Sequence, residues 1–66
     1  MKHFLFCEEI SGENFIICCD NLDDAFNLAV DIARDIISYY NNDELSLIFI
    51  DELTEAEAEA SGYDEY

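Results

Sequence analysis

Only a few residues in this 66-residue sequence could bind a metal ion through nitrogen or sulfur. The candidates are His3, Cys7, Cys18 and Cys19, and zinc accepts such ligands. Cys18 and Cys19 are neighbours in a segment with strand composition, so their side chains should point to opposite faces of a sheet. They are therefore not expected to share one tetrahedral site. We predict that the thiols pack as small buried hydrophobes, and we predict no metal site.

Oxygen ligands suited to calcium occur in DNLDDAFNLAVD, residues 20–31. This stretch lacks the turn-forming Gly and the closing bidentate Glu of an EF-hand loop. The start of a capped helix is the preferred interpretation.

Catalytic side chains do not form a recognisable group. His3 is the only histidine, and the sequence contains neither a second base of that kind nor a Gly-rich phosphate loop. The serines fall on separate predicted elements, so no activated nucleophile is indicated. We predict that the protein is not an enzyme and uses no cofactor.

The composition combines an apolar interior with strong negative charge. Hydrophobic residues make up 52% of the chain, which is too much for a disordered acidic segment. Seventeen Asp and Glu oppose two Lys and Arg, giving a formal net charge of −15. That exceeds the magnitude of about 2–8 that keeps a small domain soluble. Such a domain is attracted to basic surfaces and repelled by nucleic acid and by anionic membranes.

The cysteines and the apolar runs indicate the cellular compartment of the protein. Three cysteines are an odd number, with no spacing typical of a disulfide framework. The apolar run at the N-terminus leads directly into Glu8 and Glu9, which indicates a strand and not a signal peptide. No apolar stretch approaches the length of a membrane span. A cytoplasmic location is expected.

The first half of the chain predicts a hairpin followed by a long helix. His3–Cys7 and Phe15–Cys19 have strand composition and flank a turn at Ser11-Gly12. From Leu22 to Tyr40 apolar residues recur every three or four positions, which predicts an amphipathic helix with Asn21 as its N-cap. Tyr39 and Tyr40 are candidates for a contact surface, and the helical phase of Tyr40 offers the core as its alternative position.

The second half predicts a third strand at Leu45–Ile50 and a short acidic helix. Thr54 and Glu57 have capping-box spacing, and Gly62 can end the helix in a left-handed conformation. We therefore expect one α+β domain spanning residues 1–66 in the order β-β-α-β-α. It would contain a three-stranded antiparallel sheet with the long helix packed on it. Both faces of this sheet are apolar, so the C-terminal helix or another chain, as in a homodimer, should cover the second face.

Carboxylates are the remaining candidates for function. Asp24, Asp31 and Asp35 form a polar stripe along the long helix. The other candidate partner-binding residues lie in the turns, the third strand, the last helix and the final residues: Glu8, Glu9, Glu13, Asp43, Glu44, Asp51, Glu52, Glu55, Glu59, Tyr63, Asp64, Glu65 and Tyr66.

In size, acidity, α/β pattern and placement of carboxylates on helix and loops, the whole chain resembles phage-encoded DNA-mimic proteins. These include many anti-CRISPR proteins and inhibitors of uracil-DNA glycosylase or of restriction enzymes. The resemblance implies an inhibitor that occupies the DNA- or PAM-binding surface of a CRISPR effector without turnover. No functional residue carries over by alignment.

Two other classes of function stay open. A small adaptor or dimerisation module could bind a partner through the apolar sheet face and use its acid for solubility. An acidic antitoxin could cap a basic protein.

Overall fold

The computed structural model describes residues 1–40 and 44–66 of the chain. Within these residues the fold is α+β, with a four-stranded mixed sheet and two helices. The elements in chain order are β1 (Lys2–Glu8), β2 (Glu13–Cys19), α1 (Leu22–Ser38), β3 (Leu47–Leu53), α2 (Glu55–Ser61) and β4 (Asp64–Glu65). The strands lie in the order β3-β1-β2-β4.

The predicted hairpin is confirmed. β1 and β2 pair antiparallel with Phe4 opposite Ile17 and Phe6 opposite Phe15. Gly12 in the turn has a φ of +74°, a conformation that glycine adopts without the steric penalty of a side chain. The hairpin forms the centre of the sheet, since β1 and β2 each have a second neighbour.

The third strand is displaced from its predicted position. It spans Leu47–Leu53 and pairs antiparallel with β1, so it continues through the charged Asp51 and Glu52 beyond the apolar run. The pairing shifts between Leu5 and Phe6, which leaves Ile50 as the extra residue of a β-bulge. β3 is an edge strand, where exposed charged residues are tolerated.

The expectation of a three-stranded antiparallel sheet is met in part. β3, β1 and β2 pair antiparallel as predicted, but β4 adds a fourth strand that is parallel to β2. After Gly62, whose φ is also +74°, the chain returns to the sheet. The N–H of Tyr66 donates to the Ile16 carbonyl and the N–H of Cys18 donates to the Tyr66 carbonyl, both at 2.8 Å. Two residues are too few to show a strand period in the sequence.

The long helix begins as predicted and ends earlier. The Asn21 side chain accepts a hydrogen bond of 2.9 Å from the Asp24 N–H, which confirms the N-cap. The helix ends at Ser38, with Tyr39 as its C-cap. Tyr40 therefore lies beyond the helix and is exposed, so of its two interpretations the place in the core is wrong.

α1 lies close against the sheet because its contact face is made of small residues. Ala25, Ala29 and Ala33 are fully buried at spacings of four. They contact a core of strand side chains that includes Phe4, Phe6, Phe15 and Ile17. Alanine at these positions allows the larger phenylalanines to fill the space between helix and sheet.

The opposite face of the sheet is covered by α2. The connections β2-α1-β3 and β3-α2-β4 each join parallel strands, and they cross the sheet in opposite directions. Right-handed crossovers in opposite directions place their helices on opposite faces. Ile16 alternates with the core residues of β2 and is nevertheless fully buried, as is Ala58 of α2. The second face thus has a cover from the same chain.

The start and end of α2 agree with the sequence prediction. The Glu57 N–H donates to Thr54 Oγ1 at 3.1 Å, and the Thr54 N–H donates to Glu57 Oε1 at 3.0 Å. These reciprocal bonds form the predicted capping box. Neither helix in the described residues is long and apolar enough to cross a membrane.

Candidate functional site

The most regular group of exposed charges lies on α1. Asp24, Asp31 and Asp35 are all exposed. Their separations of seven and four residues return them to within about 20° of one line along the helix, over about 16 Å. Leu28 lies between them and is 48% exposed. This set, which we call the α1 stripe, lies opposite the buried alanines.

Apart from Glu13, which lines a pocket together with Asp35, the other predicted carboxylates do not join the α1 stripe in one surface. The two helices lie on opposite faces of the sheet, so their charges point away from each other. The exposed carboxylates outside the stripe are Glu9, Glu13, Glu44, Asp51, Glu52, Glu55, Glu59, Asp64 and Glu65. Tyr63 and Tyr66 are also exposed, at 41% and 53%. Asp43 lies outside the described residues. One flat partner could therefore contact only part of the predicted set.

Glu8 must be removed from the predicted contact surface because it is fully buried. Its Oε1 accepts a hydrogen bond of 2.7 Å from the Ser11 N–H, and its Oε2 accepts one of 2.8 Å from the Ser46 N–H. Burial by itself would raise the pKa of Glu8, but these hydrogen bonds hold the pKa below its ordinary value. Strand alternation from Phe4 and Phe6 was the available signal, since it places Glu8 on the core face.

A pocket of about 410 Å³ opens where the C-terminal end of α1 meets β2 and the last residue of the chain. It is lined by Glu13, Asp35, Ile36, Tyr39, Tyr40 and Tyr66. The Tyr40 hydroxyl lies 3.4 Å from Glu13 Oε1 and donates a weak hydrogen bond to it. The Tyr66 ring packs edge-on against Phe15, with ring centres 6.1 Å apart.

Carboxylates beside aromatic rings suit a basic side chain. Lys and Arg are attracted both to the negative charge and to the faces of tyrosine rings. The sequence predicted the acidic members and Tyr66 as contact residues, and it left Tyr40 open between the contact surface and the core. Only the tertiary structure joins residues 13, 35, 40 and 66.

The cysteines divide between the two faces as the alternation predicted. Cys19 packs against the core under α1, whereas Cys18 is on the other face. Burial raises the pKa of both Cys7 and Cys18, and nearby glutamates raise each further. All three thiols are free.

Cys18 lies beside two other possible metal ligands. Glu65 Oε1 is 3.8 Å from His3 Nε2 and 4.0 Å from Cys18 Sγ. One donor atom from each of these residues lies within 4.8 Å of the other two. The sequence makes His3 and Cys18 possible ligands, but only the folded sheet adds Glu65 to them.

Exposed apolar residues are concentrated at the β3 edge. Ile48, Phe49 and Ile50 are each between 40% and 46% exposed. Phe26 of α1 is exposed to a similar extent, and both it and Phe49 contact Phe6 edge-on. In the described residues, β3 pairs only with β1, so its outer edge carries unpaired backbone groups.

Comparisons with protein-family models, curated proteins and solved structures found no match. The fold and the exposed groups therefore define the class directly. It is a small, strongly acidic α+β domain with an ordered line of aspartates and an acidic, aromatic pocket.

Proposed function

We propose that the protein is a DNA-mimic inhibitor. It binds the basic DNA-binding surface of a nucleic-acid-binding protein and excludes the nucleic acid sterically and electrostatically. The observation that carries the proposal is the α1 stripe, in which Asp24, Asp31 and Asp35 are exposed in one line on the side of the helix away from the core.

The spacing of these charges supports the proposal. Asp24 and Asp31 are separated by about 10 Å along the helix axis, and Asp31 and Asp35 by about 6 Å. Each DNA strand carries a phosphate about every 3.4 Å. The stripe therefore matches the sign and linear form of a DNA strand at a lower charge density. A net charge of −15 extends the attraction beyond the stripe.

The acidic, aromatic pocket supplies a specific anchor. An Arg or Lys side chain that normally contacts DNA can insert between the Tyr39, Tyr40 and Tyr66 side chains near Glu13. Because Asp35 belongs both to the pocket and to the α1 stripe, one continuous surface can contact a partner's basic residues. This gives binding a preferred orientation in addition to general charge attraction.

A CRISPR effector is the proposed target, at its DNA- or PAM-binding surface. Such proteins read the PAM with arginines and hold nucleic acid in a positively charged channel. The resemblance to DNA-mimic inhibitors favours the same target. We propose a cytoplasmic location, where such an effector would act.

The test is a pull-down from cells that express CRISPR effectors and other DNA-binding defence enzymes. Excess duplex DNA is then added to the captured complex. We expect capture of a nucleic-acid-binding protein, its release by DNA, and binding that weakens as salt increases. Capture that DNA does not reverse, or a partner with no nucleic-acid function, would contradict mimicry.

The β3 edge favours a second candidate, an adaptor or homodimer that binds through added strand pairing. Ile48, Phe49 and Ile50 offer apolar area beside unpaired backbone groups. Light scattering after size exclusion separates the candidates. A dimer that persists at micromolar concentration and dissociates when Ile48 is replaced by Lys would support the second candidate.

A further inference from the structure

We propose that His3, Cys18 and Glu65 form a zinc-binding site on the sheet face covered in part by α2. The three side chains come from three adjacent strands, β1, β2 and β4. The proposal is independent of the DNA-mimic function.

The backbone positions these side chains together. His3 and Cys18 are directly opposite each other in the antiparallel pairing of β1 and β2, so their side chains share a face. Glu65 is the parallel partner of Ile16, which lies two positions before Cys18 on the same face. The hydrogen bond of 2.8 Å from the Cys18 N–H to the Tyr66 carbonyl holds β4 beside β2 at this point.

The three donor atoms are close enough to bind one zinc ion once their side chains move together. Zinc bonds of about 2.0–2.3 Å at tetrahedral angles place neighbouring ligand atoms roughly 3.3–3.7 Å apart. The separations of 3.8 Å and 4.0 Å from Glu65 Oε1 to His3 Nε2 and to Cys18 Sγ are slightly larger. Both are also longer than a strong direct hydrogen bond. Changes of a few tenths of an ångström would bring both into range. The third separation, between the donor atoms of His3 and Cys18, is within 4.8 Å and must shorten by up to about 1.2 Å, which side-chain rotation allows.

The donor set also fits zinc in charge and chemical type. Imidazole, thiolate and carboxylate are all established zinc ligands, and the thiolate disfavours magnesium and calcium. On binding, Cys18 releases its thiol proton to solvent and forms the Zn–S bond. The thiolate and carboxylate then balance the two positive charges of the ion, within a strongly negative protein.

The site is partly open to solvent. The side chain of His3 is 17% exposed and that of Glu65 is 40% exposed. Zinc can therefore enter, and a fourth ligand can come from water or from a donor on a bound protein. Zinc would also link the two-residue β4 to the central hairpin, which should stabilise the end of the chain.

Cobalt(II) is the first probe, because thiolate coordination gives an intense near-ultraviolet charge-transfer band and tetrahedral geometry gives visible d–d bands. The reduced, metal-free protein is titrated with cobalt and then with zinc. We expect one cobalt per chain, both sets of bands, and their loss when zinc displaces cobalt. The melting temperature should rise with zinc.

Variants test each ligand. Cys18→Ser should remove the charge-transfer band. His3→Gln and Glu65→Gln should each weaken zinc binding by about 100-fold, because loss of a direct ligand should cost at least as much affinity as loss of a residue that only hydrogen-bonds to a ligand. The matched controls are Cys7→Ser, Cys19→Ser and Asp64→Asn, which change similar groups outside the site. They should retain the cobalt spectrum and stoichiometry. Far-ultraviolet circular dichroism without metal establishes that each variant is folded.

Three results would overturn the proposal. One is the absence of a thiolate band in the wild-type protein at millimolar cobalt. Another is a band that persists in Cys18→Ser or disappears in Cys19→Ser. The third is equal zinc affinity in Glu65→Gln, His3→Gln and the wild type, which would indicate only diffuse attraction to the acidic surface.

Discussion

Glu8 accepts a hydrogen bond of 2.8 Å from the Ser46 N–H, which joins the end of β1 to a segment 38 positions later. The carboxylate is fully buried and also accepts from the Ser11 N–H at 2.7 Å. One acidic residue thus fixes both the hairpin turn and the approach to β3. In a chain with so much exposed acid, this carboxylate stabilises the fold.

Replacing Glu8 with Gln should lower the free energy of unfolding by about 2 kcal/mol, because a charged acceptor of two backbone bonds is replaced by a neutral group with only one acceptor atom. Urea denaturation measures the change. Glu59→Gln, an exposed change on α2, is the control and should stay within about 0.5 kcal/mol of the wild type. Equal stability of the two variants would contradict the role of Glu8.

The same residue predicts a dependence on pH. The pKa of Glu8 is lowered in the folded state, so its contribution to stability is present above the ordinary glutamate pKa and is lost as pH falls through the folded value. The stability difference between the wild type and Glu8→Gln should be constant above about pH 5 and shrink below about pH 4. Denaturation of both proteins across this range measures it. The exposed carboxylates are the same in both proteins, so their effect cancels when the two unfolding free energies are subtracted. A stability difference that grows on acidification would refute the lowered pKa of Glu8.

The α1 stripe can be tested by comparing two variants of equal net charge. Asp24, Asp31 and Asp35 changed together to Asn should weaken binding to the captured target by about 100-fold, because the ordered charges are lost. The control changes Glu52, Glu55 and Glu59 to Gln, which removes the same number of charges elsewhere. Titration calorimetry compares the two triple variants. Equal weakening would mean that net charge, not the stripe, determines binding.

The stripe variant should also keep the stability of the protein close to that of the wild type. Asp24 contributes stability at the helix start, where its carboxylate accepts from Asn21 Nδ2 at 3.0 Å, but the other two changes offset its loss. Asp31 and Asp35 are like charges four residues apart, which is unfavourable by a few tenths of a kcal/mol. Thermal melts of the stripe variant should therefore give a melting temperature close to that of the wild type, although its target binding is weakened. A large loss of stability would mean that the stripe has a structural role.

The pocket predicts a specific contribution from one aromatic residue. Tyr39 is 81% exposed, so Tyr39→Ala should leave stability unchanged while lowering target affinity about tenfold through loss of contact with a basic side chain. Tyr63→Ala is the matched control because Tyr63 does not line the pocket. Calorimetry compares the target affinity of both variants, and a stronger effect of Tyr63→Ala would place the contact surface outside the pocket.

Phe6 lies at the centre of the aromatic side chains in the core. It is fully buried and its ring contacts Phe15, Phe26 and Phe49. Phe6→Ala should cost about 3–5 kcal/mol, which is the whole stability expected of a domain this small. Circular dichroism should therefore detect unfolding. Phe49→Ala, at a 40% exposed position, should leave the protein folded. A larger loss of stability in Phe49→Ala than in Phe6→Ala would contradict this description of the core.

The sequence by itself determined the local structure. Asn21 and the Thr54–Glu57 pair identified the helix starts, Gly12 and Gly62 marked the positive-φ turns, and alternation separated Cys18 from Cys19. These features depend on side chains and backbone groups a few residues apart, so a local pattern contains the necessary information.

Tertiary structure decided which distant residues meet. The parallel pairing of β4 with β2, the burial of Glu8 against Ser46, and the meeting of Glu65 with His3 and Cys18 all depend on strand order. Two residues of β4 carry no periodic signal, and a carboxylate in the sequence looks the same whether it becomes a surface charge or a buried acceptor. Strand pairing is nonlocal, so the metal-ligand cluster and the pocket could be found only once the sheet was assembled.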